Sequence, residues 1–290
     1  MPRHYTHDYK SRCIYHITLK KIAEAPPFSY LSSGVADYCL VRNPIGSIIE
    51  KHIRRLPELN PSLRPLQYCV MPDHVHLLLF VVSPIDLPVG SYIGKLKNSI
   101  LQEYRLISES ETLIFENDFY DCILHRGRSL DTLYKYIRDN PRRLAVRRAH
   151  PEFFRRVNEL KIGGQTYQAY GNFQLLDNPF KEQVIVHRAD TPETRRHNRE
   201  LWLYTAANGG VLVSPFISPY EKAIRAEAEE VGGCIILIIN HSLDPRYKPI
   251  GHDFDLCKSG RLLIISANLE GDLCRSACLT MNSLAEKICK

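Results

Sequence analysis

Residues 71–80 read Met71-Pro-Asp-His74-Val-His76-Leu-Leu-Leu-Phe80. Side chains alternate across a strand, so His74 and His76 leave the backbone on the same face. The preceding run Leu66-Gln-Tyr-Cys-Val70 has strand composition, and Met-Pro-Asp is a turn signal. The stretch therefore predicts a hairpin whose second arm opens with two imidazoles on one face and is apolar on the other. Two neighbouring imidazoles are half of a metal site. A bare His-x-His is equally consistent with an ordinary pair of core or surface histidines.

Further along comes Tyr136-Ile-Arg-Asp-Asn140-Pro141, with Ser129 as a helix start and a proline that should end or bend the helix. Tyr136 and Asn140 are four apart and share a face. Tyr134 is on the same helix but points about 200° away. A tyrosine on an amphipathic helix is ordinarily a core or rim residue, so it is the conjunction of the two motifs that carries information. The histidine-triad phosphoester hydrolase pattern needs a third histidine at position 78, where Leu78 stands. His-Glu-x-x-His zinc proteases need helical rather than strand spacing.

The two motifs, in this order, resemble the single-tyrosine HUH transposases. Within that group the chain is most similar to the REP-associated tyrosine transposases, whose pattern is a Met-Pro-x-His-hydrophobic-His strand followed by Tyr-Ile-x-x-Asn-Pro. The resemblance runs from residue 8 to 155 and includes a helix-like segment from Tyr92 to Leu106 bearing Lys95 and Lys97. It implies an α+β ferredoxin-like domain in which His74, His76 and Asn140 hold Mg2+ or Mn2+. Related insertion-sequence enzymes carry glutamine at the asparagine's place. The resemblance further implies that Tyr136 attacks a phosphate of hairpin-bearing single-stranded DNA, leaving a 5′-phosphotyrosyl enzyme and a free 3′-hydroxyl. The chemistry is consistent: a phenol is a fair nucleophile beside a cation, and a phosphotyrosine bond conserves the energy of the broken linkage. Mixed nitrogen and oxygen ligands favour manganese over magnesium.

The net charge of +6 is concentrated between Arg126 and Arg156, where ten Lys and Arg face Asp131, Asp139 and Glu152. Such a block is often a solvated helix face, but on and after the tyrosine helix it fits a phosphate-backbone track. The expected nucleic-acid contacts are Lys95, Lys97, Arg138, Arg142 and Arg143. Nine cysteines without a Cys-x-x-Cys pair do not form a disulfide framework, which predicts a reduced, cytoplasmic protein. No apolar run reaches the roughly 20 residues that span a bilayer, and no membrane partner is expected.

A boundary is expected at Lys161-Ile-Gly-Gly164, giving a transposase domain over 1–160 and a smaller domain over 165–290. In the latter Val184-Ile-Val186, Val211-Leu-Val213, Cys234–Ile239 and Leu262–Ser266 read as buried parallel strands alternating with helices over 194–207, 221–231 and 253–259. Ser218-Pro219-Tyr-Glu221 is a capping box with proline at the first helical position. This half resembles the Rossmann-like fold of DNA-processing protein A and its lysine-decarboxylase-like relatives. The turns Ala189-Asp190-Thr191 and Pro215-Phe216-Ile217 lack the phosphate-binding glycines of those families, so no small-molecule cofactor is implied. Single-stranded-DNA binding, homodimerisation or a purely structural role are the alternatives for it. For the whole chain the reading is metal-dependent cleavage and rejoining of single-stranded DNA. The competing reading is a catalytically inert binder of DNA hairpins acting as a repressor.

Overall fold

The computed structural model describes residues 7–32, 38–108, 112–124, 129–269 and 271–290. Arg126 and Arg128 of the basic block lie outside them. The chain divides into two compact units, Met1–Ala145 and Val146–Lys290.

The first unit runs β1 (Cys13–Lys20), β2 (Ser29–Leu31), β3 (Leu40–Arg42), α1 (Pro44–Arg54), α2 (Leu56–Leu59), β4 (Leu63–Val70), β5 (His74–Val81), α3 (Val89–Ser108), β6 (Tyr120–Ile123) and α4 (Leu130–Ala149), with the division falling inside α4. Its main sheet has the order β4-β5-β1-β6, and every neighbouring pair is antiparallel. With α1 and α3 as crossovers this is the β-α-β-β-α-β arrangement of ferredoxin-like folds. Alternation decides which way the sheet faces. Tyr15, Ile17 and Leu19 of β1 and Val75, Leu77, Leu79 and Val81 of β5 join Ile49, Ile53, Ile93, Leu96 and Ile100 of the two helices in one buried cluster. Each such side chain contributes about 1.5–3 kcal/mol when fully buried. The intervening residues His16, Thr18, His74 and His76 are thereby turned to the opposite face.

Pro141 does not end α4, which continues to Ala149. A proline lacks one N–H and crowds one carbonyl, and the turns on either side of it hold the helix together regardless.

The second unit contains β7 (Arg155–Ile162), β8 (Gln165–Gly171), β9 (Lys181–Gln183), α5 (Pro192–Ala207), β10 (Val211–Ser214), α6 (Pro219–Glu230), β11 (Cys234–Ile239), α7 (Gly251–Lys258), β12 (Leu262–Ser266) and α8 (Arg275–Cys289). The sheet order is β7-β8-β12-β11-β10-β9. The strands β9 to β12 are parallel, and the β7–β8 hairpin adds to β12 antiparallel. Trp202, Ala206, Ile224, Ala228, Leu256 and Cys257 of α5, α6 and α7 cover one face, while Met281, Leu284, Ala285 and Ile288 of α8 cover the other. Same-side helices result from right-handed crossovers between strands that step steadily across the sheet.

Three expectations change here. Lys161-Ile-Gly-Gly164 is a hairpin turn rather than an interdomain joint: Gly163 and Gly164 have φ of 55° and 79°, as a two-residue type I′ turn requires. The division accordingly lies at 145/146, not between 160 and 165, and the second unit is no smaller than the first. The first parallel strand is Lys181–Gln183, just ahead of Val184-Ile-Val186, because its partner β10 pairs Val211 with Lys181 and Val213 with Gln183.

Gly171 ends β8 with φ of 133°, and a Cβ there would collide with the backbone carbonyl oxygen of Leu262. Gly171→Ala should destabilise the second unit by at least about 2 kcal/mol, combining left-handed strain with a backbone clash. Denaturant unfolding checks this; an unchanged midpoint would contradict the register of β8 against β12.

Candidate active site

His74 and His76 begin β5 on the face away from the core, and β1 supplies their neighbours. The register sets Thr18 opposite His76 and Lys20 opposite His74. His16 lies two residues before Thr18 on the same face of β1. His76 is 6% exposed, and its Nδ1 lies 3.1 Å from Nε2 of His16 and 3.2 Å from Oγ1 of Thr18. Nδ1 of His74 sits 2.7 Å from Oδ1 of Asp73. The two Nε2 atoms, of His74 and His76, face each other at 3.0 Å.

Protonation is set by these partners. A carboxylate only accepts, so Nδ1 of His74 is the donor, and in a neutral ring its Nε2 carries the lone pair. When His76 donates from Nδ1 to His16 or Thr18, its Nε2 carries a lone pair too. Both lone pairs then converge on one point. The 3.0 Å separation is that of a hydrogen bond when one Nε2 carries the proton, and it also lets both nitrogens reach one cation when neither does. Burial, together with the neighbouring His74, His16 and Arg143, holds the His76 imidazole well below its usual pKa of 6.5. A neutral imidazole is the form that binds metal.

This depression carries a stability consequence. The unfolded chain takes up a proton near pH 6.5 that folded His76 refuses, so stability is full above that pH and declines as pH falls through it. His76→Gln should flatten this decline in melting temperature; an equally steep decline would place its origin elsewhere.

The helix α4 brings Tyr136 to the same place. Its ring centroid is 5.6 Å from that of His76 and 6.1 Å from that of His16, edge-on to both. Ile137, fully buried, anchors this turn. Tyr134 points elsewhere and donates from its hydroxyl to the carbonyl of Leu66 at 3.2 Å. Asn140 is 5% exposed, and its Nδ2 donates to the carbonyl of Tyr136 at 3.0 Å, which leaves Oδ1 as the atom able to meet a cation. Among the described residues no three His, Cys, Asp or Glu side chains form a complete ligand set. Two imidazoles with an amide oxygen is the set these residues could provide.

The expected DNA contacts fare unevenly. Lys95 and Arg138 are exposed. Lys97 takes a structural role instead: its ammonium donates to the carbonyls of Glu116, Asn117 and Asp118 at 2.7, 3.0 and 3.1 Å. An ammonium has three donors, so this lysine is occupied in fixing the loop before β6. Arg142 forms a forked pair with Asp139, at 2.6 and 3.1 Å, which offsets its charge. Arg143 is 4% exposed and lies inside the site, its guanidinium carbon 5.1 Å from the centroid of the Tyr136 ring. If the exposed part of this helix tracks a phosphate backbone, replacing Lys135 and Arg138 with alanine should lower the log-log salt slope of DNA affinity by about one to two. An unaltered slope would make it a solvated face.

In the second unit the start of α6 is filled by its own side chain. The Glu221 carboxylate accepts from the backbone N–H of Val186, Ile217 and Ser218 at 3.2, 2.9 and 2.8 Å. Ser218 completes the expected capping box. A phosphate at that helix N-terminus would have to displace a carboxylate already making three bonds.

His16, Thr18 and Asp73 were absent from the residues singled out in the sequence. The available signal was the alternation in Cys13-Ile-Tyr-His-Ile-Thr18, with polar residues recurring on one face of an otherwise apolar strand.

No family model matches the chain. It is similar to an uncharacterised protein of Haemophilus influenzae, with 21% identity over 159 residues covering 48% of this chain and 84% of that one. Among solved structures, a REP-associated tyrosine transposase bound to a REP hairpin matches 49% of this chain and 74% of its own, at 13% identity and a TM-score of 0.37. DNA processing protein A of Helicobacter pylori, whose structure concerns its mode of single-stranded DNA binding, matches 44% and 59% at 22% identity and a TM-score of 0.31. No helix among the described residues is long and apolar enough to cross a membrane.

Proposed function

We propose that the first unit is a single-tyrosine nuclease and strand transferase acting on hairpin-bearing single-stranded DNA, of the transposase kind. The observation that carries this reading is the meeting of Tyr136 with the paired Nε2 atoms of His74 and His76, from elements about 60 residues apart in sequence. An ordinary core would place apolar side chains there.

The phenolic oxygen of Tyr136 attacks phosphorus, the bond from phosphorus to the 3′ oxygen breaks, and a 5′-phosphotyrosyl link forms. The phenolic proton is lost and the departing 3′ oxygen gains one, so the reverse attack by a 3′-hydroxyl rejoins a strand. His74, His76 and Oδ1 of Asn140 would hold a divalent Mg2+ or Mn2+ ion. Such an ion stabilises negative charge on phosphate oxygens. Asp73, His16 and Thr18 keep the imidazoles in the correct tautomer and orientation. Lys95 and Arg138 would meet the DNA backbone.

The test is to incubate the full-length protein with labelled single strands from the DNA flanking its own gene, in manganese. A protein-DNA adduct that survives denaturation supports the reading. Hairpin binding with no adduct would favour an inert binder.

A further inference from the structure

The sequence groups Arg143 with Arg142 as part of a surface track, but the fold separates them. We propose that Arg143 is a positioning residue for the nucleophile: its buried guanidinium holds the Tyr136 ring in line for attack. This rests on the strand-transferase reading above and adds a component to it.

Tyr136, Asn140 and Arg143 stand at i, i+4 and i+7, one stripe of α4. In a helix packed on a sheet that stripe is normally apolar. Here two of its three members are strongly polar and nearly inaccessible, with Asn140 at 5% and Arg143 at 4% exposure. A guanidinium taken out of water costs several kcal/mol unless its surroundings compensate, so its placement needs a reason that a solvated face does not supply.

The geometry provides one. Long helical side chains lean toward the helix N-terminus, which carries the Arg143 head back over the Tyr136 ring. At 5.1 Å from the centroid it is within range of a cation–π contact. Rotation of Tyr136 about its Cα–Cβ bond carries the phenolic oxygen through an arc, and attack on phosphorus requires that oxygen along one line. A guanidinium on its face and the imidazoles of His16 and His76 at its edge together restrict that freedom. A planar guanidinium stacks on an aromatic face in a way that a lysine ammonium does not reproduce. A role as a surface phosphate contact would require exposure that Arg143 lacks.

The experiment uses full-length wild type, Arg143→Lys and Arg143→Ala with a hairpin oligonucleotide and manganese, reading both the rate of adduct formation and hairpin affinity. Arg143→Lys, which keeps a cation in the buried position, should bind the hairpin as wild type does yet form adduct about 100-fold more slowly, the cost of a misaligned nucleophile. Millimolar guanidinium should partly restore the rate of Arg143→Ala, and equal ammonium should not. A merely structural arginine would give no such rescue. Wild-type adduct rates in Arg143→Lys would overturn the proposal, as would equal losses of rate and affinity, which mark a plain backbone contact. If Arg143→Ala is unfolded by circular dichroism, Arg143→Lys carries the decision. Failure of the wild-type protein itself to form adduct, while still binding the hairpin, overturns the strand-transferase reading and this inference with it.

Discussion

Tyr136→Phe should bind its hairpin like the unaltered protein and form no covalent adduct, a loss of at least about 1000-fold. Removing one phenolic oxygen takes away the nucleophile and leaves the ring, its contact with the Arg143 guanidinium and its edges against His16 and His76 in place. Tyr134→Phe is the internal control. Its hydroxyl is engaged with the carbonyl of Leu66, and losing that bond costs about 1 kcal/mol of stability with the covalent step intact. An active Tyr136→Phe protein, or an inactive but folded Tyr134→Phe protein, would reverse the assignment.

The second large effect concerns the imidazole pair. His76→Ala should weaken Mn2+ binding by more than about 100-fold, since the loss of even an outer-shell partner of a ligand costs 10- to 100-fold. Adduct formation should disappear with it, while hairpin affinity, supplied mainly by cationic side chains, is retained. Calorimetric titration with Mn2+ measures the first effect directly. His16→Ala should produce a smaller loss, because His16 touches Nδ1 of His76 rather than the point where the Nε2 atoms converge. Undiminished metal affinity in His76→Ala would mean that the paired histidines are structural.

What the sequence revealed and what it concealed divide along contact range. The two-residue period of Val75, Leu77, Leu79 and Val81 exposes the hairpin and the shared face of His74 and His76, because side-chain direction in a strand is local. The shared face of Tyr136 and Asn140 is legible for the same reason on a helix. His16 was not legible, since its place beside His76 depends on β1 pairing with a strand some 60 residues later. The burial of Arg143 was not legible because arginine is usually exposed, and only tertiary packing shows that this one is buried while Arg142 is tied to Asp139. In the second unit the apolar runs of β10, β11 and β12 stood out. The β7–β8 hairpin did not, because a bulge between Val157 and Leu160 breaks the alternation of Arg155–Ile162 and the two glycines that follow resemble a linker. The helix α8 was missed as well: its apolar face, Met281, Leu284, Ala285 and Ile288, becomes meaningful only against the far side of the parallel sheet.

The most direct test of the central claim is to trap the adduct formed by the wild-type protein on a single-stranded hairpin substrate, digest it, and locate the nucleotide-bearing peptide by mass spectrometry. The mechanism predicts a 5′-linked nucleotide on Tyr136. A nucleotide on Tyr134 or any other residue, or no adduct under conditions where hairpin and Mn2+ are both bound, would contradict it.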